Sequence, residues 1–341
     1  MSPIPLAVRQ GTPAWIDARR DAIGSSDIPI LTGNSPYRSS PFDLWCYKTR
    51  LLEAAPVDPL TEELWALGHA LEPVIAERYT VMTGRPVRRV MQMLRHPDIE
   101  WATASLDRRD ARKGEHRIVE LKWVPWKRWE EGPEAVPAYV QDQVQWQLMV
   151  TGFDAADVAV LMGSHVEHHE VMPDRAYQDD LLIIARAFRL LVETGERPAI
   201  DGSEATRRAL VRLHPRDDGS YMAATAELTA LMAEWRESEV AAASATSELA
   251  RVKNAIRGVL EAHTGAESDA WKVTFARSKD GTKTAWEAVA RAYRRVLEDI
   301  AEIVEPEELD AIESLHTTPT EGSRSLRVTW RSEPNEEGSW T

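Results

Sequence analysis

Apolar residues recur along this chain at two spacings, and the spacing names the element. Between Thr61 and Thr83, Leu64, Leu67, Leu71, Val74, Ile75 and Tyr79 return every three or four residues, which predicts a buried helix face ended by Gly84. Pro137–Thr151, with Val140, Val144, Leu148 and Met149, and Arg175–Glu193 carry the same period. Pro41–Leu51 predicts a helix that buries Phe42, Leu44, Trp45 and Leu51. The stretch from Trp15 predicts a short helix, a glycine turn at Gly24, and a new helix capped by Ser25 or Ser26 just before Pro29. Strands are expected at Val87–Leu94, Asp157–Gly163 and Val166–Val171, the last two as an antiparallel pair. Trp101–Asp107 and Arg117–Val124 read as a hairpin turning near Lys113-Gly114. Pro125–Glu134, with Trp126 and Trp129, reads as an amphipathic connector. Further on, Met222–Ala262 reads as a long helix or helical hairpin, Trp271–Ser278 as a strand, Thr284–Ile303 as a helix and Ser325–Arg331 as a strand, with a loose end at Glu333–Thr341. The order predicts an α/β domain over residues 1–215, a mixed sheet flanked by helices, and a mainly helical extension over 216–341.

One strand breaks its own pattern. Side chains alternate in Arg117–Val124, so Val119, Leu121 and Trp123 share one face while Glu120 and Lys122 share the other. Opposite charges stand where a sheet normally buries aliphatic groups, and hairpin pairing can bring Asp107 beside them. Asp107 and Glu120 offer hard oxygen ligands for Mg²⁺, with the Leu121 carbonyl as a third. Such an ion polarises a phosphodiester and acidifies its bound water, while Lys122 orients or deprotonates that water and stabilises developing charge. A surface strand with a solvated Glu and Lys satisfies this window equally well.

Composition narrows the setting. The 341 residues, 43% hydrophobic and 28% charged, suit a globular protein with a sizeable core. A single cysteine, Cys46, excludes an internal disulfide and a cysteine-held cluster within one chain, and points to a reducing compartment. No apolar run reaches membrane-spanning length and no signal-peptide pattern opens the chain, so a soluble intracellular protein is expected. The net charge of −14 argues against nucleic acid, but its distribution argues back: from Arg85 to Arg128, twelve basic residues stand against six acidic ones, around the unusual strand.

Four other places admit two readings. Arg19 with the Ser25-Ser26 helix start forms either an anion pocket or an ordinary cap. Glu72, beside the stripe of the long helix and before Pro73, is either solvated or a further metal ligand; His69, on its face, is a structural residue. Gln143, a turn before Gln147, is either a polar helix face or an amide for phosphate or water. The run His165-Val-Glu-His-His169 places neighbouring histidines on opposite strand faces and does not point to zinc.

Taken together, Arg19-x-x-x-Ile-Gly-Ser-Ser-Asp27, Gly68-x-x-Leu-Glu72, Ser105-x-Asp107, Glu120-x-Lys122 and Pro137-x-Tyr-x-x-x-Gln143 follow one another at spacings that resemble the YqaJ-type viral recombinase family. These are relatives of phage lambda exonuclease within the PD-(D/E)XK nuclease superfamily. The motifs cover about residues 15–200, and Trp271-Lys-Val-Thr274 resembles the C-terminal extension more weakly. The resemblance implies a restriction-endonuclease-like core. It makes Asp107, Glu120 and Glu72 metal acids, Lys122 the catalytic lysine, and Gln143 the glutamine of the following helix. Arg19, Ser26 and Ser105 become a pocket for the 5′-phosphate at a DNA end. It also implies Mg²⁺ or Mn²⁺ as cofactor and 5′→3′ digestion of linear duplex DNA to 3′ overhangs. The implied partners are double-stranded DNA ends and a single-strand annealing protein, with a trimer as the oligomer. The setting would be the cytoplasm of a bacterium hosting a phage or prophage. A catalytically silent DNA-end-binding protein, or an endonuclease of the same superfamily, would carry similar motifs. Arg108 stands where the family commonly has a small residue, and the acid follows Leu106 rather than proline.

Overall fold

Which strands pair, rather than which segments are extended, sets the architecture of this chain. Its computed structural model describes residues 2–37, 39–125, 136–268 and 272–276, with positions 290, 291, 293, 295 and 296 beyond them. Two compact units are present, Met1–Arg216 and Asp217–Gly322.

The first unit opens with β1 (Ile4–Arg9), α1 (Pro13–Asp21), β2 (Ile23–Gly24), α2 (Ile28–Leu31), α3 (Pro41–Lys48) and α4 (Pro59–Thr83). Five strands follow: β3 (Val87–Arg89), β4 (Gln92–Arg95), β5 (Ala102–Ala104), β6 (Arg108–Asp110) and β7 (Arg117–Val124). It closes with α5 (Ala138–Thr151), β8 (Ala155–Met162), β9 (His165–Val171), α6 (Arg175–Thr194) and α7 (Glu204–Leu213). The strands form two sheets, β1-β4-β5-β2 and β3-β6-β7-β8-β9. The larger is mixed: β7 and β8 run parallel over their full length, joined across α5, and the other pairs are antiparallel. This is a mixed α/β fold with helices on its sheet faces.

The alternation in β7 and β8 sends side chains into two cores. Ile118, Val158 and Val160 pack with Val140, Val144 and Leu148 of α5, while Val119, Leu121 and Ala159 pack with Ile75 and Tyr79 of α4. Each such fully buried aliphatic side chain contributes about 1.5–3 kcal/mol relative to exposure. Buried polar hubs tie the layers together. Asp142 of α5 accepts hydrogen bonds from the Thr32 hydroxyl (2.5 Å), the Asn34 amide (2.9 Å) and the Tyr177 hydroxyl. Asp157 accepts from Tyr79, Arg85 and Arg117.

Several expectations are corrected. Val87–Leu94 is two strands in different sheets, because the chain crosses between them at Val90-Met91. The partner of β7 in the hairpin is β6, with Arg108 opposite Val119; the first part of the expected strand, Ala102–Ala104, pairs instead with β4 and β2. Neither Ser25 nor Ser26 caps a helix. Asp27 holds the N-cap position of α2, and its carboxylate is turned to the Gly24 N–H (2.8 Å) and Lys48 Nζ (2.6 Å). Leu51 is exposed, and so are Leu64, Leu67 and Val74, so only the C-terminal half of the α4 stripe is core. Periodicity shows which residues share a face, not how much of that face is covered. The antiparallel pair β8–β9 and helices α5 and α6 lie where the pattern puts them.

The second unit contains α8 (Ala226–Leu260) and the antiparallel pair β10 (Gly265–Glu267) and β11 (Lys272–Thr274). The body of the connector expected at Pro125–Glu134, the strand at Ser325–Arg331, the end Glu333–Thr341 and most of the helix at Thr284–Ile303 lie outside the described residues.

Candidate active site

Asp107 sits where β6 has not yet begun, and its side chain continues the ladder that its backbone does not. The first residue of β6, Arg108, is paired opposite Val119 of β7. Two residues further along β7, the Leu121 N–H donates to Asp107 Oδ2 at 2.9 Å. The carboxylate is thereby pinned against the strand that carries Glu120 and Lys122.

Glu120 is buried and fully engaged. Its Oε1 accepts from Lys122 Nζ at 2.8 Å and Gln143 Nε2 at 2.6 Å, and its Oε2 accepts from Gln147 Nε2 at 2.9 Å. Lys122 Nζ also donates to Gln143 Oε1 at 2.9 Å, which closes a ring of three side chains. Parallel pairing sets Glu120 level with Val158 and Lys122 level with Val160, so the polar pair emerges from an aliphatic surface. α5 faces that surface and brings Gln143 and Gln147, one turn apart, onto Glu120. Gln147 also donates to the Ser105 carbonyl at 3.1 Å, linking the site to the chain that leads into Asp107. Gln147 is fully buried, and its part was not foreseen. The available signal was its spacing of four from Gln143 on a helix already predicted.

The electrostatics follow from this crowding. Burial raises the Asp107 carboxyl well above the usual carboxylate range, and the charges of Glu120 and, more weakly, Glu72 add to it. Burial works against the Lys122 ammonium, but Glu120 and Asp107 outweigh it and hold its pKa above the ordinary lysine value.

Glu72 is placed differently from the expectation. Its Oε2 accepts from Arg108 Nη1 at 3.2 Å, and both side chains are largely buried. Arg108 therefore occupies the carboxylate that would complete a three-acid site. Among the described residues, no three Asp, Glu, His or Cys side chains stand together as a metal cage. The donor set still fits a hard cation in part: Asp107 and Glu120 offer only oxygens, and their mutual repulsion is the kind a divalent ion relieves. It is the Leu121 N–H, not the carbonyl named as a ligand, that meets the Asp107 carboxylate. His69, on the face of Glu72, is exposed.

Of the three residues expected to hold a terminal phosphate, Arg19 is on α1, Ser26 lies in the turn between β2 and α2, and Ser105 follows β5. Ile23 and Gly24 of β2 pair with Ala102 and Thr103 of β5, and after Gly24 the chain turns, with the Asp27 N–H donating to the Gly24 carbonyl at 2.9 Å. Arg19 Nη2 donates to Ser26 Oγ at 2.7 Å while its guanidinium lies over the Trp15 ring, 4.8 Å from the centroid. Beneath them Lys48, buried, donates to the carbonyls of Arg19 (2.7 Å) and Ala22 (2.6 Å) and to Asp27, so the segment rests on an internal charge pair. Burial lowers the Lys48 pKa, and Asp27 works against that fall.

Comparison with known proteins is informative once this geometry is in hand. Residues 14–154 match the YqaJ-like viral recombinase domain. A protein of Bacillus subtilis strain 168, YqaJ, itself uncharacterized, is 30% identical over 217 residues, which is 60% of this chain and 64% of that protein. The match thus spans less than two thirds of the relative. Among solved structures, an alkaline exonuclease from Laribacter hongkongensis is 21% identical with a TM-score of 0.43, covering 60% of this chain and 100% of the other. A phage-related exonuclease from Haemophilus somnus 129PT is 10% identical with a TM-score of 0.38, covering 51% and 96%.

Proposed function

Residues 14–154 form a YqaJ-like viral recombinase domain, and from that premise we propose that the chain is a metal-dependent deoxyribonuclease acting 5′→3′ on linear duplex DNA. Its product would be a 3′ single-stranded overhang for a strand-annealing partner. The observation that carries the proposal is the arrangement of Asp107, just before β6, against Glu120 and Lys122 of β7, with Gln143 closing the ring. Asp107 and Glu120 would hold Mg²⁺ or Mn²⁺, with Glu72 joining them if Arg108 releases it. The ion, when bound, supplies Lewis-acid polarisation of the phosphate and a more acidic water. Lys122 brings a positive charge to the phosphate oxygens, and the Gln143 amide orients the lysine. Gln147 keeps Glu120 in one rotamer by bonding the oxygen that Lys122 does not use.

Direction is assigned to Arg19, Ser26 and Ser105. A terminal phosphate carries more charge than an internal diester, so a guanidinium beside a hydroxyl favours the end over the interior. The test is digestion of linear duplexes with 5′-phosphate, 5′-hydroxyl or no free end, with and without Mg²⁺. The 5′-phosphorylated end should be cleared fastest and only with metal. Arg19→Ala should erase most of the preference, at roughly 10- to 150-fold for one lost charged contact. Full activity after exhaustive EDTA treatment would remove the metal, and equal rates on both ends would remove the pocket. A second reading, a silent DNA-end-binding protein, is favoured by one observation, the Arg108–Glu72 ion pair. It predicts binding without cleavage in every arm.

A further inference from the structure

One cavity lined by the described residues lies away from this site. It encloses about 780 Å³ where β3, β6 and the crossing at Val90–Gln92 meet the turn after α5. No residue of the candidate active site lines it; Arg88, Arg89, Arg109 and His116 do, with Asp154 as its one acidic residue. In the β3–β6 ladder Arg88 stands directly opposite Arg109, and Arg89 opposite Arg108. Like charges facing each other across a ladder destabilise a sheet. The second pair is partly relieved, because Arg108 is neutralised by Glu72. The first is not: among the described residues, Arg88 and Arg109 make no ion pair or side-chain hydrogen bond. Arg88 and Arg89 are exposed, whereas Arg109 is half-buried, and all three line the cavity. His116 and Phe153 also line it, their rings 5.5 Å apart between centroids.

A solvent-facing pair of arginines opposed across one ladder of an acidic chain is a ready contact for an anion from outside. The cavity is far larger than a single small ion, and Arg88, Arg89, Arg109 and His116 line it together. Arg109 stands opposite Ile118 in β7, so it lies on the sheet face that also bears Glu120, two residues along the strand. We propose that this cleft is a second contact for a nucleic-acid backbone. Arg88 and Arg109, with Arg89 at the rim, engage phosphates of the strand that extends beyond the bond held at Asp107 and Glu120. The proposal rests on the nuclease reading above and adds to it a separate binding surface.

The test is binding of a labelled duplex of about 30 base pairs to the full-length chain in EDTA, across a series of salt concentrations. Arg88→Gln with Arg109→Gln should weaken binding and flatten the dependence of log K on log salt by about 1.8, the release of ions from two phosphates at about 0.9 each. Arg186→Gln, an exposed arginine on α6, should change neither. The melting temperature of the double variant should be unchanged or higher, since a repulsion has been removed. Arg88→Glu, a single change at an exposed position, should lower affinity further. Wild-type salt dependence in both variants, with wild-type DNA binding intact, would overturn the cleft and leave the nuclease reading standing. Failure of the wild type to bind or cleave DNA would overturn both. Inorganic phosphate at matched ionic strength should compete no better than chloride; selective competition would make the cleft a small-anion pocket and overturn the strand contact.

Discussion

Lys122 illustrates how far single residues could be interpreted before the structure. Its charge in an apolar strand marked it, and Glu120 beside it followed from alternation, because a period of two leaves no choice of face. What alternation cannot supply is the partner from another element: Gln147 reaches Glu120 at 2.9 Å from a helix, and only tertiary packing sets that distance. Lys122→Ala removes the ammonium but leaves Asp107 and Glu120, and should lower cleavage by about 10²-fold or more with DNA binding largely retained. A single-turnover rate within a few-fold of wild type would exclude Lys122 from the chemistry. Arg108 is the reverse case. The sequence showed an unusual residue after Asp107, but not that its guanidinium would bind Glu72 at 3.2 Å. Arg108→Gly frees that carboxylate, and the Mg²⁺ concentration giving half-maximal cleavage should fall. An unchanged metal titration would show that Glu72 is not a ligand.

Elements were legible where they are long and periodic, as in α5, α6 and the β8–β9 pair, and illegible where short strands exchange sheets. The span from Val87 to Asp110 contains four strands of three or four residues divided between two sheets, and no local pattern reports that division. One short turn there depends on acidity. The N–H groups of Asp98 and Ile99 both donate to His96 Nδ1 at 3.1 Å, closing the connection between β4 and β5. Burial lowers the His96 pKa, with Asp98 opposing. A histidine whose folded pKa lies below its unfolded value, about 6.5, contributes fully above that pH. Its contribution is lost as pH falls from there towards the folded pKa. Melting temperatures measured from pH 7.5 down to 5 should therefore decline, and His96→Asn, which accepts without titrating, should show a shallower decline over the same interval. Parallel slopes for the two proteins would acquit His96.

At the scale of the whole molecule, the buried apolar residues lie within residues 1–216, with Leu260 as the exception among the described residues. Composition pointed to one large core and an Ala/Glu/Leu-rich helix after it, but could not say what that helix does. A chain ending at Arg216 retains both core clusters and should unfold in one cooperative transition. Calorimetry of this shortened chain is the direct check, and a broad, non-cooperative melt would show that the second unit is needed for the first to fold.

The hydrogen bond from the Leu121 N–H to Asp107 Oδ2 has a further consequence, because it makes one backbone proton a witness to one side chain. Interior amides of β7 are protected by strands on either side and trade their protons for deuterium only when the sheet opens. Leu121 is protected by a carboxylate instead. Asp107→Ala should therefore quicken deuterium uptake at Leu121 while Ile118 and Val119, paired with β6, stay slow. In the wild type, a divalent ion that draws on the same carboxylate should alter the Leu121 rate selectively. Isotope exchange at that single position can thus report how Asp107 is engaged in the resting protein, before any DNA is added.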